Sequence, residues 1–239
     1  MKKILLLPVC FILMSCETAQ QVLGSIANST GEPSITEVAM GLKEALTVGS
    51  QNSSTKLSLA DGFFRDEVIK ILLPAEAQKV ERTLRSLGFN KLVDDAILSI
   101  NRGAEDACKT AAPIFGNAIK EMSIQDAIGI LKGNDSSATI YLKQKTTTAL
   151  TSAFKPVIQE SLNKVGATKY WSDVFGTYNS LPTTFKKINP DLSAFVTERA
   201  LSGVFHYVAL EEHKIRKDPV ARVTDLLKKV FGSKLAGGN

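Results

Sequence analysis

Asn101 and Glu105 stand four residues apart, as do Arg102 and Asp106, and Glu212 and Arg216 repeat the spacing near the other end of the chain. Four residues is one helical turn, so each pair shares a helix face. As surface ion pairs they would contribute about a few tenths of a kcal/mol each. Buried and joined across two helices, they would instead line a charged cleft, where a carboxylate pair such as Glu105 with Asp126 or Glu211 could do acid–base work. The sharper expectation has Arg216 neutralising Glu105 across a partly buried junction. Asn101, Glu105, Asp126, Tyr141, Glu212, Arg216 and Arg222 are then one candidate polar cluster.

Other chemistries find less support. His206 and His213 are seven apart with Glu211 and Glu212 adjacent. The chain has neither HExxH nor a Cys/His cluster, and zinc takes three or four ligands, so no metal is expected. There is no GxSxG elbow and no phosphate-cradling glycine loop, and no cofactor is implied. Cys108 falls on an apolar helical stripe, the setting of a buried small hydrophobe rather than a nucleophile.

Cys16 is different. Lys2 and Lys3 precede the uncharged run ILLLPVCFILM, a charged segment and an apolar one of secretory-signal length. A membrane span needs about 20 apolar residues, and this run is shorter and contains Pro8. LMSC at 13–16 resembles the lipobox of bacterial lipoproteins, although Met14 is larger than the residue usual two before the cysteine. The reading is a signal over residues 1–15, lipid on Cys16, and a tether over 16–33. Acyl chains add about 0.8 kcal/mol per buried methylene, enough to anchor the protein without a spanning helix. Glu17, rather than aspartate, after the cysteine points to the periplasmic face of the outer membrane.

Cysteine use agrees, since Cys10 leaves with the signal and only Cys108 remains in the folded part, so no internal disulfide can form. Loss of Lys2 and Lys3 takes the net charge from +5 to +3. The remaining charges of both signs are interspersed, which gives the pI of about 9.0 no basic tract to offer nucleic acid.

The elements that must position these residues read as helices. Ser34 and Glu37 form a capping box, and Ile35, Val38, Leu42, Ala45, Leu46 and Gly49 follow at helical spacing. Residues 52–66 read as loop or broken helix. Pro74 opens a helix with Ala77, Val80, Leu84 and Leu87 as its buried face, ended by Gly88. Lys91 to Ala112 carries one long stripe stopped by Pro113. Ser123, with Asp126, caps 124–132. Thr139–Phe154 and a separate helix from Pro156 to Gly166 follow, then Tyr170, Trp171, Val174, Phe175 and Tyr178 at core spacing. After a proline-broken connection at 179–191, a helix runs from Leu192 to Arg216. Asp218 and Pro219 start the last one, with Val220, Val223, Leu227 and Val230 inward and Gly232 closing it. With no alternating pattern anywhere, the expectation is a single all-α domain of about eight to ten helices over 34–232, with a flexible tail at 233–239.

INRGAEDA (100–107), MSIQDAIGILKG (122–133), FKPV (154–157), EEHKIRKDPVAR (211–222) and LLKKVFG (226–232) together resemble the bacterial lipoprotein family catalogued as domain of unknown function 4197. The resemblance implies an exported helical domain and gives no activity. Two functions remain open: a lipid-anchored binding or scaffold module for an envelope protein or apolar ligand, or an envelope enzyme of hydrolase type. A continuous apolar groove would favour the first, and a pocket lined by Glu105, Tyr141, Glu212 and Arg216 the second.

Overall fold

The computed structural model describes residues 31–180, 182, 187, 189 and 191–236. Residues 1–30, which hold the expected signal, Cys16 and most of the expected tether, lie outside these residues, as do the side chains of Tyr170, Val174, Phe175 and Tyr178. Among the described residues the regular structure is helical, without a strand, and one helical domain accounts for it.

Helix α1 covers Ile35–Leu57. Its start is the expected capping box, with the Glu37 amide donating to Ser34 Oγ at 3.2 Å and the Ser34 amide to Glu37 Oε2 at 2.8 Å. The helix runs past Gly49 through a serine-rich stretch that reads as irregular in the sequence. Ser50, Ser53 and Ser54 are buried, and Ser53 Oγ donates back to the Gly49 carbonyl at 2.7 Å, which lets a polar side chain sit inside with its hydrogen bond made.

Residues 58–73 are irregular. A 3-10 turn, Ala75–Ala77, leads into α2, Gln78–Ser86. Gly88, at φ +86°, and Phe89 close α2 with a Schellman motif, the Phe89 amide donating to the Leu84 carbonyl and the Gly88 amide to that of Arg85. Helix α3, Asn90–Cys108, and α4, Ala111–Glu121, divide the single stripe expected up to Ala112. Pro113 does not stop a helix but sits in the first turn of α4, where its missing N–H costs nothing.

Helix α5, Ile124–Lys132, has the expected Ser123–Asp126 box. Helix α6 then runs unbroken over Ser137–Lys164, with Pro156 inside it. Phe154 and Ile158, both fully buried, fasten the chain on either side of the proline, so packing overrides the local break. Helix α7 is Ala167–Ser180 and α8 is Leu192–Lys217.

Asp218 caps only a 3-10 turn, Pro219–Ala221, and Thr224 caps α9, Asp225–Phe231. Val220 and Val223 are exposed, contrary to the inward placement expected of them, because the turn ends the stripe early. Leu227 and Val230 are buried as expected. A further turn at Lys234–Ala236 packs on α5 and α9, so the fold continues past the boundary expected at 232.

The long helices α6 and α8 pack on one another at the centre. Helices α3, α4 and α7 cover α6, while α1 covers α8 and is itself covered by α4, α5 and α9. Phe63, fully buried, places its ring on Gly203 of α8, where a Cβ would lie 2.6 Å from ring carbon Cε1. Only glycine admits that contact, which pins residues 58–73 to the core.

Candidate functional site

The seven residues expected to form one cluster occupy three places. Glu105 is buried on α3, and its Oε1 accepts from the Phe63 and Phe64 amides at 3.1 and 3.2 Å. Its Oε2 takes Nη1 of Arg102, whose Nη2 reaches Asp61 at 2.7 Å. Asp61 has φ +69°, a left-handed conformation that Asp adopts more readily than most residues. Asn101, one turn before Glu105, accepts from the Ile71 amide and donates to the carbonyls of Ile71 and Ile97. The two side chains therefore satisfy the backbone of 58–73, which makes no ladder or helix of its own.

Asp66 and Tyr207 complete that attachment, although neither stands out in the sequence. Tyr207 donates its hydroxyl to Asp66 Oδ2, and the Val68 and Ile69 amides donate to Oδ1. Burial raises the Asp66 pKa, but these hydrogen bonds and the Lys56 charge together bring it below its ordinary value.

Glu212 and Arg216 form the second place. Their side chains are only 4% and 7% exposed, and pair at 3.0 Å. Glu212 accepts from the Ala138 and Thr139 amides at 3.0 and 2.8 Å and from Thr139 Oγ1. Arg216 donates to the carbonyls of Ile130 and Leu131. Arg222 donates to the carbonyls of Ile215 and Arg216, closing the end of α8. The expected contact between Arg216 and Glu105 is thus replaced by two separate ion pairs, each with its nearest helical neighbour. The space beside Glu212 and Arg216 is about 20 Å³, room for one water rather than a substrate.

Asp126 belongs to neither. It is half-buried in its capping box, and hydrogen bonds from Ser123 lower its pKa. Tyr141 stands near it, with its phenol pKa raised by burial and by the charges of Asp126 and Glu121. Cys108 is fully buried, and burial pushes its thiol well above the ordinary range. His206 stacks edge-on against Tyr207, and His213 is 3.9 Å from Asp135, so the two histidines serve different neighbours. Among the described residues no group of three or more His, Cys, Asp or Glu side chains is placed to hold a metal.

A larger concavity lies elsewhere. Val80 and Leu84 of α2 were expected to be buried, yet Val80 is exposed and Leu84 half-buried. Both face a groove of about 320 Å³ with Leu92, Val93, Ala96 and Ile100 of α3 on the opposite wall. Leu73, Ala77, Val165, Ala167, Trp171 and Leu192 complete its described lining. Helix α2 packs chiefly on α3, so its apolar stripe is left to line this space. Glu81 and Asp95 reach the rim, where each is paired, with Arg85 at 3.0 Å and Lys91 at 2.6 Å. The volume falls in the range of small-molecule sites, whose walls are mostly apolar. The groove offers burial and shape, and among the described residues that line it the two carboxylates, Glu81 and Asp95, are both ion-paired.

These features define an all-helical domain with a mixed polar scaffold and an apolar groove; no helix among the described residues is long and apolar enough to cross a membrane. The family model described as protein of unknown function (DUF4197) matches residues 32–232, and the chain belongs to that family. Neither the curated proteins nor the solved structures give a match.

Proposed function

We propose that this chain is a lipid-anchored protein of the cell envelope, held by acyl chains on Cys16, that binds an apolar ligand in the groove between α2, α3 and α7. The observation that carries this reading is the groove itself, about 320 Å³ and walled by aliphatic side chains and Trp171. The buried charges, which would have supported an enzyme, are instead taken up by backbone groups and by one another.

Binding of the neutral dye N-phenyl-1-naphthylamine to the full chain tests it, with displacement by a long-chain fatty acid as the second arm. Ala96, half-buried on the groove wall, is replaced by Trp to fill the space. Dye affinity should fall about tenfold or more, as expected when an apolar site is occupied, while the thermal melt stays close to that of the wild type. Equal dye binding by the wild type and Ala96→Trp would remove the groove as the ligand site.

A further inference from the structure

Helix α2 is anchored by buried side chains at one end. Pro74 and Ala77, just ahead of it, are buried, but no described side chain from Gln78 to Leu92 is, and burial resumes at Val93 of α3. The turn between the two helices holds Gly88 at φ +86°, where a Cβ would meet no heavy atom within 4 Å. Helix α2 packs chiefly on α3. Arg85 reaches Asp94 there at 2.9 Å, in a surface pair of the kind that contributes little. The apolar side chains of α2, Val80 and Leu84, face the groove of about 320 Å³ rather than a packed core. A segment with so few buried contacts opens at low cost in free energy.

We infer that α2 is a hinged wall of the groove, pivoting at Ala77 and Gly88 and closing on an apolar ligand. Hinges are a few residues at the ends of elements that absorb the backbone change. Both pivots fit that description, since Ala77 is the N-cap of α2 and Gly88 directly follows its C-cap, Leu87. Val80 and Leu84 have the groove rather than protein on one side, and so forfeit dispersion contacts that a packed neighbour would give. A ligand between the walls supplies such contacts, and supplies more of them as α2 moves toward Val93, Ile100 and Trp171. Its higher affinity for the closed position is what shifts the population. A fixed wall would need side chains locked by packing, and the described side chains of Gln78–Ser86 have no such burial. The closing step rests on the groove being the ligand site proposed above; the hinge does not.

Pulsed dipolar spectroscopy on the full chain tests this by measuring the width of the groove. Nitroxide labels go on Ser86→Cys, exposed near the end of α2, and on Lys164→Cys, exposed beside Val165 of the lining. Cys10 and Cys16 are replaced by Ser, and Cys108 stays because it is buried. Without ligand the distances should be broad or fall into two groups. Bound dodecanoic acid should collapse them to one shorter distance. A control pair on α6 and α8, Gln144→Cys with Arg199→Cys, both exposed, should stay narrow throughout. Asp94→Asn removes the surface pair with Arg85, and should raise the ratio of long to short distances about two- to fivefold with the control pair unchanged. A free protein as narrow between positions 86 and 164 as in the control pair would overturn the inference, whatever the dye experiment gives. Distances that ignore dodecanoic acid, in protein from which the acid displaces the dye, would also overturn it while leaving the groove as the ligand site. Conversely, if Ala96→Trp leaves dye binding intact the groove reading fails, and the ligand-free distances with Asp94→Asn still decide for or against the hinge.

Discussion

Glu212 and Arg216, one turn apart near the end of α8, cap two different helices. The carboxylate takes the free amides at the start of α6, where Ser136 makes no side-chain cap, and the guanidinium takes the carbonyls at the end of α5. Each charge therefore meets the helix end of opposite partial charge, and the pair holds the α5–α6 corner.

Arg216→Ala should destabilise the fold by roughly 3 kcal/mol or more, because it strands a buried carboxylate along with two carbonyls. Denaturant melts measure this, and a double-mutant cycle locates it. The cycle with Glu212→Gln should show coupling of about 1 kcal/mol or more, whereas that with Glu105→Gln should be additive, since Glu105 is neutralised by Arg102. Coupling between positions 105 and 216 would contradict the arrangement.

Acid should loosen two fixed corners of the domain. The Glu37 carboxyl, held by Lys229 and by the Ser34 amide and hydroxyl, lies at about 2 against an ordinary 4.5. Burial raises the Asp191 carboxyl, but Lys155, Ser193 and the Ala194 amide outweigh it and bring it to about 2 from 3.8. A depressed carboxyl pKa contributes stability above the unfolded value and loses it as pH falls through the folded one. Melting temperature should thus decline from about pH 5 to pH 2, and Glu37→Gln with Asp191→Asn should flatten that decline. An unchanged slope in the double variant would show that these carboxyls are not its source.

Local signals were legible in the sequence and distant ones were not. The boxes at Ser34–Glu37 and Ser123–Asp126 are patterns of four consecutive residues, and both form. The cap on α6 comes from Glu212, 73 residues beyond Thr139, and spacing along the chain carries no trace of such a partner. Glu105 could be recognised as one of a helical pair, but the Phe63 and Phe64 amides that it satisfies belong to an irregular segment without periodicity. Val80, Leu84 and Leu87 show the complementary limit: a stripe says that a helix face is apolar, and does not say whether protein or open space lies against it.

Lipid on Cys16 has a direct test. If the thiol is the acceptor, cells fed a tagged fatty acid should label the wild-type protein and leave Cys16→Ser unlabelled, with the variant released from the membrane or retained uncleaved. Cys108, buried on α3, offers no accessible substitute. Label retained by Cys16→Ser would remove the lipid anchor from the proposed function.

Pro156 sets the last expectation. It lies inside α6, exposed, eight residues before the final residue Lys164. Lacking an N–H, it leaves the Ser152 carbonyl without its helical donor, and its ring crowds that carbonyl. A proline in a helix interior costs about 3 kcal/mol relative to alanine, and its restriction of the unfolded chain returns about 0.4–1 kcal/mol of that. Since the flanking Phe154 and Ile158 already fix the helix on the core, Pro156→Ala should stabilise the fold by roughly 1–3 kcal/mol, read as a higher denaturant midpoint at unchanged slope. A loss of stability would mean that the core has adapted to the bend the proline imposes, and that straightening α6 misplaces Phe154 or Ile158.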